Sequence, residues 1–194
     1  LEIKVFDGFA GYGGALYGFE RLKENIPGVD YEVVGYSEFD KYAAALFDAN
    51  HKDKNGNPLK NWGDITQINP DDLPDFDMFM GGFPCQPFSS AGMQMGTEDP
   101  YGRGAMLGHI IRICKVKKPK YLFLENVKGF THGKFQPIHD QLIKDLREMG
   151  YGVDPLAKAV LNSKDYGIPQ NRERLWMFAR LGGLPEGFSM TPEK

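Results

Sequence analysis

Four clusters of glycine, charged or other polar residues each follow a short apolar run in this sequence. They occupy residues 7–14, 38–40, 81–86 and 125–126. Apolar runs that stop at such residues are typical of buried strands. In an open α/β sheet, ligands bind at the carboxyl ends of the strands. We therefore take the four clusters as the candidate functional residues.

The first cluster contains Gly11, Gly13 and Gly14, which lie between a predicted strand and a predicted helix. Glycines at this point let the backbone approach a ligand and expose the amides of the helix start. The spacing is not a complete G-x-G-x-x-G pattern, and a tight turn that needs positive φ is the alternative interpretation. No Lys-Ser or Lys-Thr follows the glycines, so the pattern does not indicate a triphosphate site.

Two acids complement these glycines. Glu38 ends the next predicted strand, roughly 25 residues further on, which is near the spacing at which an acid binds a ribose hydroxyl. Its alternative role is to cap the helix that follows. Asp64, in Gly63-Asp64-Ile65-Thr66, can accept a hydrogen bond from an adenine amino group or cap a turn. Together with the glycines, the two acids favour a ligand that contains a nucleoside.

The third cluster leads into Cys85, which is surrounded by Gly and Pro in residues 81–89. A free cysteine is most often a small buried apolar residue, and this is our interpretation of Cys114 inside a helical pattern. Cys85 follows a strand end, where a side chain is presented rather than packed. Its thiol can act as a nucleophile if nearby cations or backbone amides favour the thiolate.

The fourth cluster begins with Glu125, directly after the apolar run Leu122-Phe123-Leu124. An acid in this place is either a cap or a buried, hydrogen-bonding carboxyl of raised pKa. Arg172 and Arg174 are two residues apart, so they project to the same face if they enter the last strand. The alternative is a solvated pair of arginines.

Other catalytic chemistries find less support in the spacing. A zinc deaminase needs His-x-Glu and Pro-Cys-x-x-Cys motifs, and the residue three positions after Cys85 is Phe88. The four histidines form no metal-binding spacing with either cysteine, so no metal site is predicted. The spacing does not exclude a Cys-His protease, although nothing pairs a particular histidine with Cys85.

Composition sets further bounds on the function. Of 194 residues, 41% are hydrophobic and 13% aromatic, which predicts a folded single domain. No apolar run approaches the roughly 20 residues of a membrane helix, and there is no signal-peptide pattern. Two cysteines cannot form a disulfide framework and suit a reducing, intracellular setting. A net charge of −3 neither indicates nor excludes a nucleic-acid partner, because a local basic patch is enough.

Strand and helix patterns alternate through most of the chain, which predicts an α/β fold with a parallel sheet and helices on both faces. The last two strands have no room for a crossover helix, so we expect them to pair antiparallel at an edge. Residues 84–104 show no clear periodicity of apolar residues, which predicts a long functional loop. The predicted strands are 3–6, 31–36, 75–80, 121–124, 153–161 and 173–179, and the predicted helices are 15–23, 41–49, 105–116 and 135–149.

Taken in order, six motifs resemble those of the cytosine-5 DNA methyltransferases, which use S-adenosylmethionine. They are Phe6-Asp7-Gly8-Phe9-Ala10-Gly11-Tyr12-Gly13-Gly14, Ser37-Glu38-Phe39-Asp40, Gly63-Asp64-Ile65-Thr66, Gly82-Phe83-Pro84-Cys85-Gln86-Pro87-Phe88-Ser89, Glu125-Asn126-Val127 and Gln170-Asn171-Arg172-Glu173-Arg174. The resemblance implies a Rossmann-like methyltransferase fold, with a mostly parallel sheet and an antiparallel edge hairpin. Residues 1–194 are then expected to form the catalytic and cofactor-binding domain.

By this resemblance, the first three motifs bind S-adenosylmethionine. Glu38 is expected to bind the ribose hydroxyls and Asp64 the adenine amino group. Phe39 and Ile65 are expected to flank the adenine ring. The remaining cofactor residues, around the methionine and ribose, are Phe9, Ala10, Gly11, Gly13 and Gly14.

The resemblance also implies the catalytic residues. Cys85 is the expected nucleophile, which adds to carbon 6 of a cytosine flipped out of duplex DNA. Glu125, when protonated, is expected to donate to ring nitrogen 3, while Arg172 and Arg174 orient the base. Residues 86–104 correspond to the family's mobile catalytic loop, which closes on DNA and excludes water.

The sequence departs from the family pattern after its last motif. Family members normally continue into a target-recognition domain, a Gly-Phe-Pro motif and a Gly-Asn-Ser/Thr-Val helix. Here Gly187-Phe188 is followed by Ser189. We therefore expect the recognition domain and C-terminal motifs to be absent, and a second subunit or segment to supply them. The implied setting is the cytoplasm of a prokaryotic or phage-like restriction-modification system, with no membrane or metal.

Two alternatives to a DNA methyltransferase remain open at this point. A tRNA cytosine-5 methyltransferase shares these motifs in another subtype. An inactive, truncated module would fold and bind the cofactor without catalysing methyl transfer.

Overall fold

The structure is a computed structural model, and it describes residues 1–84, 106–153 and 158–190. The chain divides into two compact units. The first comprises Leu1–Gly82 with Val116–Lys120, and the second comprises Phe83–Lys115 with Tyr121–Lys194. In the described part of the chain, no helix is long and apolar enough to cross a membrane.

Parallel pairing organises the strands of the first unit. Strand β1 (Glu2–Gly8) pairs in parallel with both β2 (Asp30–Ser37) and β3 (Met78–Gly82). The register places Asp7 beside Tyr36 of β2 and Met80 of β3. The carboxyl ends of β1 and β2 therefore lie together, with Gly8 opposite Ser37. The elements of this unit are β1 (Glu2–Gly8), α1 (Leu16–Asn25), β2 (Asp30–Ser37), α2 (Lys41–Asn50) and β3 (Met78–Gly82).

Aromatic side chains fill the core of the first unit. Phe6 is fully buried and stacks on Phe76, with the ring centroids 5.3 Å apart. Tyr36 stacks on Phe47 of α2 at 3.8 Å, which anchors that helix to the sheet. These contacts bury large apolar surfaces directly beneath the ends of β1 and β2, so they fix the loops that follow the two strands.

Antiparallel pairing organises the second unit. Strand β7 (Glu173–Leu181) pairs antiparallel with β4 (Tyr121–Val127), β5 (Tyr151–Gly152) and β6 (Lys158–Asn162). It therefore has partners on both sides. Its buried residues alternate as Leu175, Met177 and Ala179, which is the period of two of a strand with one covered face. The elements are α3 (Met106–Lys117, whose last two residues belong to the first unit), β4 (Tyr121–Val127), α4 (Gln136–Glu148), β5 (Tyr151–Gly152), β6 (Lys158–Asn162) and β7 (Glu173–Leu181).

The sequence-based elements agree with the structure apart from a few boundaries and the short strand β5, which was not predicted. The parallel strands of the first unit and the antiparallel pair of β6 with β7 confirm the predicted α/β class. The strand predicted at 75–80 starts only at Met78, where its pairing with β1 begins. The strand predicted at 153–161 is observed as β6, and residues 154–157 lie outside the described residues. The predicted loop at 84–104 also lies outside them from residue 85 onward.

Candidate functional site

The glycine loop, residues 9–14, leaves the end of β1 with an unusual backbone. Phe9, Gly11 and Gly13 all have positive φ, at 81°, 56° and 82°. The amides of Phe9 and Ala10 both donate to the carbonyl oxygen of Ser37, at 3.0 and 3.1 Å, which ties the loop to the end of β2. The positive-φ requirement predicted for these glycines is therefore confirmed at Gly11 and Gly13.

Glu38 lies directly against this loop. Its Oε2 accepts a hydrogen bond from the Gly11 amide at 2.9 Å, and its Oε1 accepts from the Asp40 amide at 2.8 Å. Helix α2 is capped by Asp40 instead, whose Oδ1 accepts from the amides of Tyr42 and Ala43. Glu38 therefore does not cap this helix, and its carboxylate faces the glycine loop.

The Asp64 motif is held at the same end of β2. The Ser37 hydroxyl donates to the carbonyl oxygen of Gly63 at 2.7 Å, immediately before Asp64. The exposed Asp64 accepts from the Thr66 amide at 2.9 Å, so the turn-capping interpretation describes its contact in this structure. Ile65 is buried, whereas Phe39 is 64% exposed and presents a large apolar surface.

These contacts bring together the three motifs proposed to bind the cofactor. Glu38 joins the glycine loop, and Ser37 joins Gly63-Asp64, all at the carboxyl ends of β1 and β2. A Cβ added to Gly11 would meet no atom within 4 Å, so a ligand can approach the backbone there. Free carboxylate lone pairs, accessible backbone and an exposed aromatic ring suit a ligand that contains a nucleoside. The individual binding roles remain predictions.

Asp7 is a charged residue of this region to which the sequence assigned no role. The residue is 2% exposed, and its Oδ2 has no hydrogen-bond partner among the described residues. Burial, and to a smaller extent the nearby charge of Glu38, raise the pKa of this carboxyl from 3.8 to about 7. Only its place at the end of an apolar strand was visible in the sequence, and that place does not distinguish a buried carboxyl from an exposed one.

The second unit brings Glu125, Arg172 and Arg174 together. Arg174 Nε lies 2.9 Å from Glu125 Oε1, and Arg172 Nη2 lies 3.6 Å from the same oxygen. Strand register explains the cluster, because Glu125 pairs with Trp176 and the diagonal neighbour Arg174 shares its face. Only Arg174 enters β7, as the prediction required, whereas Arg172 immediately precedes the strand; both guanidinium groups nevertheless reach Glu125. Their catalytic roles stay predictions.

Asn126 connects this cluster to the segment that leads into Cys85. Its side chain is buried, and Nδ2 donates to the carbonyl oxygen of Phe83 at 3.0 Å. Phe83 packs edge-to-face on Phe130, with centroids 5.2 Å apart. The backbone two residues before Cys85 is thus fixed beside Glu125, while Cys85 itself lies outside the described residues.

Cys114 shows the opposite environment to the one expected of a nucleophile. It is fully buried within α3, and this burial raises the pKa of its thiol far above the ordinary value. A thiol that cannot ionise is inert, which confirms the structural interpretation of this cysteine. Within the described ranges, no group of His, Cys, Asp and Glu side chains could hold a metal ion.

Comparison with known proteins gives a consistent result. A family model described as C-5 cytosine-specific DNA methylase matches residues 3–193. The chain is 39% identical over its whole length to the orphan methyltransferase M.Rho11sI of Bacillus phage rho11s, of which it covers 36%. It is 41% identical over 94% of its length to the type II methyltransferase M.HaeII of Haemophilus aegyptius, of which it covers 52%. The chain thus spans between about a third and a half of these relatives.

Solved structures show the same fold. The S. pombe Dnmt2 methyltransferase matches 95% of the chain with a TM-score of 0.70 at 24% identity, and the chain covers 50% of it. A mutant of DNMT2 from Spodoptera frugiperda matches 98% of the chain with a TM-score of 0.73, also at 24% identity, and the chain covers 54% of it. These likenesses confirm the predicted methyltransferase fold.

Proposed function

Because the chain belongs to the C-5 cytosine-specific DNA methylase family, we propose that it carries the chemistry of methyl transfer to carbon 5 of cytosine in DNA. The observation that carries this proposal is the cluster in which Arg174 and Arg172 hold the carboxylate of Glu125. Next to it, Asn126 fixes the backbone that leads into Cys85. Such an arrangement supplies an acid and two cations next to the segment that precedes the proposed nucleophile, Cys85.

S-adenosylmethionine is the proposed cofactor, and it supplies an electrophilic methyl group on a positively charged sulfur. The residues of the first unit fit it as described: Glu38 binds the ribose hydroxyls and Asp64 the adenine amino group. Phe39 and Ile65 flank the adenine ring. The glycine loop, with Phe9, Ala10, Gly11, Gly13 and Gly14, surrounds the methionine and ribose.

Cys85 is proposed to act on the base. Its thiolate forms a bond to carbon 6, and the electron pair of the carbon 5–carbon 6 double bond makes carbon 5 nucleophilic. Glu125, when protonated, donates to ring nitrogen 3 and stabilises this adduct. Carbon 5 then takes the methyl group, the methyl–sulfonium bond of the donor breaks, and S-adenosylhomocysteine is the leaving group. A base removes the proton of carbon 5 and the carbon 6–sulfur bond breaks, which restores the double bond and releases the thiolate.

Arg174 and Arg172 are proposed to position Glu125 for this step. A guanidinium at 2.9 Å fixes the carboxyl group with a charge-assisted hydrogen bond, so its free oxygen can face the base. Sequence specificity is proposed to come from a recognition segment or partner in addition to these residues, because the chain spans 36% of M.Rho11sI and 52% of M.HaeII.

Transfer of a labelled methyl group tests the proposed function. The chain is incubated with labelled S-adenosylmethionine and either duplex DNA or tRNA, alone and with a recognition segment taken from a relative. We expect label on cytosine of DNA, its loss in Cys85→Ser, and its retention in the control Cys114→Ser. Label in tRNA alone would instead favour an RNA substrate. Absence of label from both nucleic acids, with and without the segment, would contradict transferase activity.

A further inference from the structure

His51 occupies the space that the missing side chain of Gly13 leaves open. A Cβ added to Gly13 would overlap Nε2 and Cδ2 of His51 and would lie 3.1 Å from a ring carbon of Phe47. The positive φ of Gly13 already favours glycine, and the imidazole adds a second, steric reason for it. The glycine loop is thus built around this histidine.

The imidazole is held in place from several sides. Its Nε2 lies 3.0 Å from the carbonyl oxygen of Tyr12, at the centre of the loop. Its ring packs edge-on to Tyr17 of α1, with centroids 5.2 Å apart, and lies 4.8 Å from the ring of Phe47. A carbonyl oxygen only accepts hydrogen bonds, so Nε2 must carry the hydrogen and donate it.

The glycine loop is contacted by residues that flank the two ends of helix α2. Just before its first turn, Glu38 accepts from the amide of Gly11. At its last turn, the amide of His51 donates to the carbonyl oxygen of Phe47, which fixes the histidine as the C-terminal cap. These flanking residues thus hold one amide and one carbonyl of the loop, which belong to the adjacent residues Gly11 and Tyr12.

We propose that His51 is a positioning residue that fixes the glycine loop in the shape that binds the cofactor. The inference rests on the proposed cofactor role of the first unit. Without the Nε2–H donor and the ring, the loop loses one of these two side-chain attachments. The amides of Gly13 and Leu16, which donate to Ala10 and Gly13 oxygens at 2.8 and 3.0 Å, then open more often.

Hydrogen exchange and calorimetry together test this proposal. In His51→Ala, we expect the amides of residues 13–16 to exchange about tenfold faster, the size expected for one lost hydrogen bond. The Kd for S-adenosylhomocysteine should rise by a similar factor. His51→Gln keeps a side-chain donor and should recover part of both effects, whereas His51→Phe keeps only the ring and should not recover the loop protection.

The control is His132→Ala, which removes an exposed histidine of the second unit. It should leave both readouts unchanged. Unchanged exchange of residues 13–16 in His51→Ala would overturn the inference, whatever the cofactor result. If the unsubstituted chain binds no S-adenosylhomocysteine, the proposed cofactor role fails, while the exchange comparison still decides whether His51 orders the loop.

Discussion

At the scale of single residues, Asp7 shows how strongly burial controls an acid near the proposed cofactor site. Its ionised form is penalised only in the folded chain, where the pKa is raised to about 7. Between about pH 4 and pH 7, the folded chain keeps a proton that the unfolded chain has already released. The free energy of unfolding therefore falls as pH rises through this window and levels off above it.

Substitution of Asp7 tests this pH dependence. Asp7→Asn is neutral at every pH, so we expect it to raise the free energy of unfolding by a few kcal/mol near pH 8 and to have little effect near pH 4. Urea denaturation at several pH values measures the difference. The exposed acid Asp71 provides the control as Asp71→Asn. If Asp7→Asn kept the pH dependence of the unsubstituted chain, the assignment to Asp7 would be wrong.

The two arginines beside Glu125 differ in their geometry, and this difference predicts unequal effects. Arg174 is 24% exposed and contacts Glu125 at 2.9 Å, whereas Arg172 is 48% exposed and lies at 3.6 Å. We expect Arg174→Ala to slow methyl transfer by roughly tenfold and Arg172→Ala by roughly threefold through loss of the Glu125 contact.

The rate of transfer from labelled cofactor checks this order. Arg21→Ala is the matched control, because it removes an exposed arginine that pairs with Glu24 within α1. It should leave the rate unchanged. Equal effects of the two substitutions beside Glu125 would contradict the positioning role inferred from the distances.

At the scale of elements, the close approach of β1 and β3 is what aligns the ends of these strands. A Cβ added to Gly81 would overlap the carbonyl oxygen of Gly8, and a Cβ on Gly8 would crowd the ring of Phe79. Both neighbours are fixed, one as backbone and the other within the aromatic core. Glycine is therefore required at this point because two strands meet, rather than because of a turn.

A pair of glycine substitutions tests this requirement. We expect Gly81→Ala to lower the free energy of unfolding by about 2 kcal/mol or more, since the strands must move apart. Gly129→Ala is the control, because a Cβ there meets nothing within 4 Å and should change stability by less than about 0.5 kcal/mol. Chemical denaturation measures both. Equal stability of the two variants would contradict the close packing of β1 on β3.

At the scale of the whole molecule, local patterns were sufficient to predict most strands and helices. They also identified the candidate residues at the strand ends, namely the glycine loop with Glu38, and Glu125 with the two arginines. Arg172 lies just before β7, but the entry of Arg174 into this strand followed from the apolar pattern of residues 173–179. The contact of His51 with Tyr12 did not, because the two residues are 39 positions apart and nothing in a polar loop indicates where it packs. For the same reason, the buried state of Asp7 depends on neighbouring strands that its own segment does not reveal.

The two compact units divide the proposed function between them. Residues expected to bind the cofactor lie in Leu1–Gly82, and those expected to act on the base lie in the second unit. Each unit contains a charged cluster at a strand end: Glu38 with Gly11 in the first, and Glu125 with Arg174 in the second.

Covalent trapping tests the central claim most directly. DNA containing 5-fluorocytosine has no proton at carbon 5 for a base to remove, so the enzyme stays attached after methyl transfer. We expect a denaturation-resistant adduct with S-adenosylmethionine present, and peptide mass spectrometry should locate the DNA and the methyl group on the peptide that contains Cys85. An adduct on another residue, or no adduct either with or without a supplied recognition segment, would contradict methyl transfer through Cys85.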